Sequence, residues 1–125
     1  MAQRYIPAII NKGDKRIILI NGEPVLHALA RFPAPSEVRG NLRAGGSGVV
    51  VPLTENDYKI CQKISPSLRS SGLYLVGIDI IGDYLTEINI TSPGCIKEIN
   101  QATNLNIAHD YIRFLVEYRT KSFAQ

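Results

Sequence analysis

Apolar and β-branched residues are concentrated in a short run from Lys15 to Ile20, which has the length and composition of a β-strand. Asn21-Gly22 follows at once, and Asn-Gly is the strongest two-residue signal for a hairpin turn. The segment from Glu23 to Arg31 then returns beside the first strand. The pattern therefore predicts a β-hairpin near the start of the chain.

A helix is predicted after a long irregular stretch. Thr54-Glu-Asn-Asp57 resembles the capping box of a helix N-terminus, with Asp in the place of Glu. We expect Pro66 either to kink this helix or to cut it short, and Gly72 to close it. Its apolar side is formed by residues at helical spacing, namely Tyr58, Cys61, Ile64 and Leu68.

A second hairpin and two more helices complete the pattern. Leu73 to Ile81 and Leu85 to Thr91 have the composition of paired strands, and a short helix is predicted from about Cys95 to Gln101. Asn106 is expected to cap a final helix. The apolar side of that helix would carry Ile107, Tyr111, Phe114, Leu115 and Tyr118. This order of elements predicts an α+β fold, an antiparallel sheet with packed helices.

The composition agrees with one globular domain. With 125 residues, 45% of them hydrophobic and 20% charged, the chain can bury a core. The net charge is +3 and the basic residues are scattered, which argues against nucleic-acid binding and suits an anionic small molecule. No apolar run reaches the length of a membrane span. Cys61 and Cys95 are expected to be buried thiols in a reducing compartment, which predicts a cytoplasmic location.

The first hairpin brings charged residues to one end of the sheet. A two-residue turn pairs Ile20 with Glu23 and Arg16 with His27, and strand side chains alternate between faces. Either a solvated strand end or a functional cluster would give this pattern, and the residues alone do not decide between them. The face in question carries Asp14, Arg16, Ile18, Val25, Leu29 and Arg31.

The second hairpin carries three oxygen ligands. A two-residue turn would put Asp79 and Glu87 on opposite faces, whereas a three-residue turn, Gly82-Asp83-Tyr84, pairs them and places Asn89 beside them. We favour the three-residue turn. Carboxylate and amide oxygens suit a hard divalent cation such as Mg²⁺, which would relieve the repulsion between the carboxylates. The alternative is that Asp79 is a satisfied core aspartate and Glu87 is exposed.

The stretch from Pro33 to Gly48 is long for a connection in a compact domain, where about 4–6 residues is the median. It contains two prolines and four glycines, so it is expected to be a mobile lid or a flexible connector. Arg39, Arg43 and the backbone amides around Gly45-Gly46 would suit binding of a phosphate or a carboxylate.

Six segments, in order, match a known family. They are Asp14-Lys15-Arg16, Ala30-Arg31, Arg39-Gly40-Asn41-Leu42 with Gly45-Gly46, Pro52-Leu53-Thr54-Glu55, Gly77 to Asp83, and Leu85 to Pro93. Together they closely resemble bacterial glutathione synthetase, an ATP-grasp enzyme, over about residues 1–99. Because that family's chain is more than twice as long, residues 1–125 are expected to be only the C-terminal part of an ATP-grasp domain. The N-terminal substrate domain and the first ATP-grasp half would be missing, as in an excised piece, a gene fragment or one chain of a split enzyme.

The resemblance implies a ligase that joins γ-glutamylcysteine to glycine with ATP through an acyl phosphate, giving glutathione. It implies Mg²⁺, or Mn²⁺, held by Asp79, Glu87 and Asn89, with ATP as co-substrate. Arg16 and Arg31 would act on the transferred phosphate and acyl group. The complete enzyme is expected to be a homo-oligomer, and this chain alone to be inactive.

The remaining site residues are also implied by the resemblance. Gln3, Tyr5 and Ile6 would lie at the adenine linker, and Asp14 near the ribose. Residues 33–48 would form the lid over the substrates, with contacts from Arg39, Asn41, Gly45 and Gly46. Thr91 and Ser92 would lie at the peptide and glycine end. The alternatives are another ATP-grasp carboxylate–amine ligase, or a non-catalytic remnant or partner subunit.

Overall fold

The computed structural model describes residues 6–7, 13–32, 47–91 and 93–124, without the side chains of residues 47 and 121–124. No helix in this part of the chain is both long and apolar enough to cross a membrane. The elements are β1 (Asp14–Ile20), β2 (Glu23–Pro24), β3 (His27–Phe32), β4 (Ser47–Pro52), α1 (Glu55–Ser70), β5 (Leu75–Ile81), β6 (Tyr84–Asn89), α2 (Ile96–Ala102) and α3 (Ile107–Ala124).

Within these residues the strands form one antiparallel sheet in the order β4-β3-β1-β5-β6, with β2 paired to β1. Helix α1 packs on one face, whereas α2 and the start of α3 pack on the other. The α+β fold with an antiparallel sheet and packed helices is therefore confirmed.

The face under α1 is apolar along the central strands. Alternate residues of β1 and β5 point to this face and are closed off by Cys61 and Leu68 of α1. Burial of each Ile, Leu or Val side chain contributes about 1.5–3 kcal/mol relative to leaving it exposed. The buried strand residues of this cluster are Ile17, Leu19, Ala28, Val76, Ile78 and Ile80.

The opposite face is divided along the strands. At one end, Ile18 and Leu29 are buried under Ile99 of α2 and Ile107 of α3. The other end of the same strands carries charged residues and no covering helix among the described residues. The helices α2 and α3 therefore leave one end of this face open for a site.

Helix α1 starts with the predicted capping box. The Asp57 amide donates to Thr54 Oγ1 at 3.2 Å, and the Thr54 amide donates to Asp57 Oδ2 at 2.9 Å. Pro66 does not cut the helix short, because α1 continues to Ser70. Gly72 follows with a φ of +70°, the left-handed conformation that commonly ends a helix.

The first hairpin differs from the prediction in its register. Ile20 pairs with Glu23 as expected, but β2 ends after two residues, and Arg16 is opposite Leu29 instead of His27. Two residues between β2 and β3 shift the pairing by two positions. An even shift keeps every side chain on its predicted face, so Asp14 and Arg16 still share a face with Arg31.

Strand β4 was not predicted. It pairs with β3 along its whole length and includes Ser47 and Gly48, the last two residues of the stretch expected to form a lid. The glycines before it concealed the strand, since glycine is depleted in strands. Residues 33–46 lie outside the described residues, so the lid stays a prediction.

The C-terminal helices agree with the sequence pattern. Asn106 caps α3, because its Oδ1 accepts from the His109 amide at 3.1 Å. Ile107 of α3 is fully buried, and Phe114 lies against Tyr74 with ring centroids 5.4 Å apart. Leu115, which was expected on the apolar side, is 36% exposed.

Candidate active site

The second hairpin aligns Asp79 with Glu87 by a different route from the one predicted. Its turn has two residues, Gly82-Asp83, so the three-residue turn was wrong. A bulge places the extra residue, Thr86, in β6, and Asp79 consequently lies opposite Glu87. The Thr86 hydroxyl donates to the Asp79 carbonyl oxygen at 3.2 Å. The bulge therefore places Asp79 and Glu87 on the same face of the sheet, as the longer turn would have done.

The sheet register brings the charged residues together on the face left open by α2 and α3. Cα partners on adjacent antiparallel strands have side chains on the same face. The pairs are Asp14 with Arg31, Arg16 with Asp79, Asp79 with Glu87, and Gly77 with Asn89. This cluster spans four neighbouring strands, from β3 to β6.

Asp79 lies at the centre of the cluster and is only 5% exposed. Its Oδ1 accepts from Arg16 Nε and lies 3.1 Å from Arg31 Nη2, and its Oδ2 accepts from Arg16 Nη2 at 2.9 Å. Burial by itself would raise the pKa of Asp79, but the Arg16 hydrogen bonds and the charges of both arginines outweigh it. The pKa is therefore lowered, and the carboxylate is ionised at neutral pH.

Arg16 is almost completely buried, with 7% of its surface exposed. The Asp79 hydrogen bond raises its pKa further, so its charge is fixed. A buried guanidinium is tolerated only with such a partner, because an unpaired buried charge costs several kcal/mol. The bidentate pair therefore rules out a solvated strand end at this position.

Gly77 makes room for Arg16. A Cβ atom at Gly77 would lie 2.8 Å from Pro93 Cβ and 3.1 Å from Arg16 Cδ. The arginine side chain thus crosses over the glycine while the segment after β6 packs against it. This role of Gly77 was not predicted, although a glycine inside a strand often marks a close approach of other atoms.

Asp14 pairs with the second arginine. Its Oδ2 accepts from Arg31 Nη2 at 2.8 Å, whereas its Oδ1 is buried without a hydrogen-bond partner among the described residues. Burial raises the pKa of Asp14 to about 6, although the charge of Arg31 acts in the opposite direction. The two aspartates of the cluster consequently have pKa values shifted in opposite directions.

Cys95 also lies near the arginines. It has a left-handed backbone, with a φ of +78°, at the start of α2. Burial raises the pKa of its thiol, while the positive charges of Arg31 and Arg16 act against that change. Both Cys95 and the buried Cys61 are free thiols.

The predicted metal ligands share a face but are not equally accessible. Asp79 is buried and satisfied by the arginines, Glu87 is exposed, and Asn89 Oδ1 accepts from the Thr91 amide at 3.1 Å. No group of three or more His, Cys, Asp or Glu side chains within the described ranges is arranged to hold a metal. Taken one at a time, Asp79 and Glu87 thus match the alternative to a metal site, in which Asp79 is a satisfied core aspartate and Glu87 is exposed.

The donor set still fits a hard cation in its chemistry. A carboxylate offers about four lone-pair positions, and the arginines use two on Asp79 Oδ1 and one on Oδ2. The donors among the described residues leave one position on Oδ2, and the exposed Glu87 is the Cα partner of Asp79 on β6. All three predicted ligands are oxygen donors, as Mg²⁺ and Mn²⁺ prefer.

The other predicted site residues are only partly described. Ile6 is half-buried outside any helix or strand, and Thr91 is exposed beside Asn89. The remaining predicted residues lie outside the described residues: Gln3, Tyr5, Arg39, Asn41, Gly45, Gly46 and Ser92.

A family sequence model and individual relatives of this chain point to the same protein family. Residues 1–104 match the sequence model described as "Prokaryotic glutathione synthetase, ATP-grasp domain". The glutathione synthetase of Pseudomonas aeruginosa is 60% identical over 107 residues, which are 86% of this chain and 33% of that protein. That of Ralstonia nicotianae is 58% identical over 112 residues, which are 90% of this chain and 34% of that protein.

The chain therefore spans about a third of the length of the curated relatives that it matches. The family match covers residues 1–104, which include every strand of the described sheet and all of the charged cluster. The chain belongs to the prokaryotic glutathione synthetase family, and its residues 1–104 match the ATP-grasp domain of that family.

Proposed function

We propose that this chain is the C-terminal part of the ATP-grasp domain of a glutathione synthetase, which joins γ-glutamylcysteine to glycine with ATP. The observation that carries the proposal is the buried Arg16–Asp79–Arg31 network on the open face of the sheet, with Glu87 next in register. Relatives at 58–60% identity are named glutathione synthetase. Their names support the choice of substrates.

The proposed reaction has two steps. The cysteine carboxylate of γ-glutamylcysteine attacks the γ-phosphorus of ATP. The bond from that phosphorus to the ADP oxygen breaks, and an acyl phosphate forms. The amine of glycine then attacks the acyl carbon, phosphate leaves with the bonding electron pair, and the nitrogen loses its extra proton to phosphate or water. Negative charge builds up on oxygen in both steps, so fixed positive groups accelerate them.

Arg16 and Arg31 would supply this positive charge. Planar guanidinium groups bind phosphate and carboxylate oxygens through two parallel hydrogen bonds. Asp79 forms ion pairs with both groups and restricts their movement. Pre-organised charges of this kind cost no rearrangement when the transition state forms.

Asp79, Glu87 and Asn89 would hold Mg²⁺ or Mn²⁺, with the nucleotide phosphates as further ligands. When bound, the cation would neutralise charge on the phosphate oxygens. Glu87 is the accessible carboxylate, whereas Asp79 would share one oxygen with Arg16. The residues after β6, Thr91 and Ser92, would contact the peptide and glycine.

The rest of the pocket would come from residues outside the described ranges and from other parts of the protein. Gln3, Tyr5 and Ile6 would contact adenine, and residues 33–48 would close over the substrates as a lid and exclude water. The first half of the ATP-grasp domain and the substrate domain would complete the enzyme. We place that enzyme in the cytoplasm as a homo-oligomer.

A chimera tests the proposal. The 107-residue stretch of this chain that matches the Pseudomonas aeruginosa enzyme would replace its counterpart there. We expect the chimera to form glutathione, ADP and phosphate from ATP, γ-glutamylcysteine and glycine in the presence of Mg²⁺. A folded chimera that requires a different acid or amine would instead favour another ATP-grasp ligase.

The Glu87→Gln variant of the chimera tests the metal assignment. Loss of the exposed carboxylate should lower Mg²⁺-dependent kcat by about 10²-fold or more, as loss of other charge-stabilising groups does. Glu55→Gln is the matched control, because its side chain is 86% exposed on α1. Equal rates for the two variants would remove Glu87 from the site.

The chain by itself should not catalyse the ligation, because the first half of the ATP-grasp domain would be absent. That half would bind the other phosphates of ATP. We expect no glutathione above background when the 125-residue chain is assayed with ATP, γ-glutamylcysteine, glycine and Mg²⁺. Steady turnover by the chain alone would show that it contains a complete active site.

A further inference from the structure

The turn between β1 and β2 contains a chemically reactive dipeptide, Asn21-Gly22. Of the eight asparagines in the chain, Asn21 is the only one followed by glycine. When an asparagine deamidates spontaneously, the backbone nitrogen of the next residue attacks the side-chain amide. Glycine, which has no Cβ atom, hinders that attack least. The sequence of this turn therefore has the chemistry of a modification site.

The conformation of the turn keeps the two reacting atoms apart. Asn21 and Gly22 have φ values of +51° and +78°, and a two-residue hairpin turn with positive φ at both residues is of type I′. The first residue of such a turn has a ψ of about +30°, which places the next nitrogen on the opposite side of the Cα–C bond from the side chain. A five-membered succinimide ring needs both on the same side. The Asn21 Cα–C bond must therefore rotate through a large angle before the ring can close.

Helix α1 opposes that rotation. Arg69 Nε donates to the Asn21 carbonyl oxygen at 2.8 Å, and this oxygen moves together with the Gly22 nitrogen when the bond rotates. Arg69 is itself held by Glu23, whose Oε1 accepts from Nη2 at 2.7 Å. On the other side of the residue, the Asn21 amide donates to the Tyr74 carbonyl oxygen at 2.7 Å. The turn is thus fixed both to α1 and to the segment before β5.

The glycine that makes Asn21 reactive is itself required by the contact with α1. A Cβ atom at Gly22 would lie 3.0 Å from Arg69 Nε and 3.2 Å from Ser65 Cβ, and a φ of +78° is strained for any other residue. The buried Ser65 hydroxyl lies 2.5 Å from the Gly22 carbonyl oxygen and 2.6 Å from that of Cys61, so its one hydrogen is shared between them. The same helix face therefore selects glycine and restrains its backbone.

We infer that Asn21 is a deamidation site whose reaction rate is set by release of the turn from α1. In the released turn, the Gly22 nitrogen gives up its proton and bonds to Asn21 Cγ. The bond from Cγ to Nδ2 breaks, and Nδ2 leaves as ammonia with one added proton. Water then hydrolyses the succinimide at either of its two carbonyl groups, which gives aspartate or isoaspartate at position 21.

The two products differ in their effect on the hairpin. Aspartate keeps the length of the main chain, whereas isoaspartate routes the main chain through the side chain and lengthens it by one atom. Ile20 pairs with Glu23 across a turn of two ordinary residues, so isoaspartate should not close the same turn. Because hydrolysis is irreversible, the hairpin would then stay detached from α1. This site is at the opposite end of β1 from Asp14 and Arg16.

Peptide mass spectrometry of the 125-residue chain tests the inference. The chain would be incubated in mildly alkaline buffer with and without denaturing urea, and conversion of the Asn21 amide to a carboxyl group would be followed over time. We expect the reaction to be slower by at least about tenfold without urea, because the turn must first open locally. Equal rates in the folded and unfolded chain would overturn the inference.

Variants of α1 test whether the helix supplies the protection. Arg69→Gln should speed deamidation of the folded chain by about tenfold, the factor that corresponds to loss of one charge-assisted hydrogen bond, and should leave the rate in urea unchanged. Ser65→Ala should have a smaller effect of the same sign, because its hydroxyl hydrogen is shared. Lys59→Gln, which breaks an exposed ion pair on the same helix, is the matched control. No increase in Arg69→Gln and Ser65→Ala, or an equal increase in Lys59→Gln, would overturn the inference.

Hydrogen exchange separates local release of the turn from global unfolding. The amide of Ile78, a fully buried residue of β5, should exchange at the wild-type rate in Arg69→Gln. If deamidation and Ile78 exchange accelerated equally, the reaction would require unfolding of the whole sheet, and the specific role of α1 would be wrong. Neither measurement uses ATP or the substrates, so both results are independent of the proposed function.

Discussion

Gly77 shows at the scale of one residue how the site depends on the absence of a side chain. Gly77→Ala would place a Cβ atom 2.8 Å from Pro93 Cβ, beside the buried Arg16. Overpacking of this kind costs about 1–3 kcal/mol of unfolding free energy, which urea titration would measure. Gly94→Ala is the matched control, since its nearest new neighbour would be Arg16 Nη1 at 3.9 Å. Equal stability of the two variants would mean that Pro93 moves aside without cost.

The two aspartates of the cluster predict opposite dependences of stability on pH. Asp14 has a folded pKa of about 6, above its ordinary 3.8, so the folded state binds its proton first as pH falls. Its contribution to the unfolding free energy therefore decreases as pH rises from about 4 to about 6. Asp79 has a lowered pKa, so its stabilising contribution is present above 3.8 and is lost at lower pH.

Asp14→Asn isolates the first effect. Relative to the wild type, this variant should gain urea-unfolding stability between pH 4.5 and pH 7, because it lacks the buried carboxyl that must ionise. Measurements above pH 4.5 avoid the range in which Asp79 titrates. A stability difference that is the same at both pH values would show that Asp14 has an ordinary pKa in the folded chain.

The environments of single residues were the hardest feature to predict from the sequence. Alternation along the strands was sufficient to place Arg16 and Arg31 on one face. Alternation could not show whether Asp79 faces a metal ion or an arginine side chain, since either partner satisfies a buried carboxylate. The positions of Pro93 and Gly77 depend on contacts across the sheet that no local pattern encodes.

At the scale of elements, α1 is joined to the sheet by a polar contact as well as by its apolar side. Asp57 is fully buried, caps the helix, and accepts from Lys15 Nζ of β1 at 2.5 Å. Asp57→Ala should lower the unfolding free energy by about 3–5 kcal/mol, the cost of breaking a buried ion pair. Glu55→Gln, in the same turn, should change it by less than about 0.5 kcal/mol, because that side chain is exposed.

Urea unfolding followed by circular dichroism would measure both variants. A loss of only about 1 kcal/mol in Asp57→Ala would indicate that the residue acts as a helix cap and that the contact with Lys15 adds little. The capping signal itself was visible in the sequence as Thr54 and Asp57. The partner on β1 was not, since it is 42 residues away.

Element boundaries were predicted where local chemistry fixes them and missed where pairing fixes them. Asn106 and Thr54 start their helices through hydrogen bonds within one turn. The end of β2 and the bulge at Thr86 depend on neighbouring strands instead. The first hairpin kept its predicted faces because its register error is two residues. The second kept the predicted alignment of Asp79 with Glu87 because a one-residue bulge offsets a turn one residue shorter than predicted.

At the scale of the whole molecule, the described residues form a tightly packed sheet and a loosely attached C-terminal helix. Ile107 is the one fully buried residue of α3 within the described chain, and Ile112 and Val116 are more than half exposed. The family match ends at residue 104, before α3 begins. The helix thus lies outside the residues matched by that sequence model.

An aromatic cluster holds the middle of α3. Phe114 and Tyr118 lie 5.4 Å and 5.3 Å from Tyr74, measured between ring centroids. Aromatic pairs contribute about 0.5–1.5 kcal/mol each beyond the area they bury. Because few other contacts oppose its release, α3 is expected to open locally before the sheet unfolds.

Hydrogen exchange of the backbone amides would measure this difference. Amides of α3 should exchange faster than those of β1 and β5, and Phe114→Ala should speed exchange in α3 by about tenfold, equivalent to about 1.4 kcal/mol. The amides of the central strands should keep their protection, since their core contains no residue of α3 beyond Ile107. Val116→Ala, on the exposed side of the same helix, is the matched control and should leave exchange unchanged. If Phe114→Ala accelerated exchange equally in the strands and in α3, the helix would instead unfold together with the sheet as one cooperative unit.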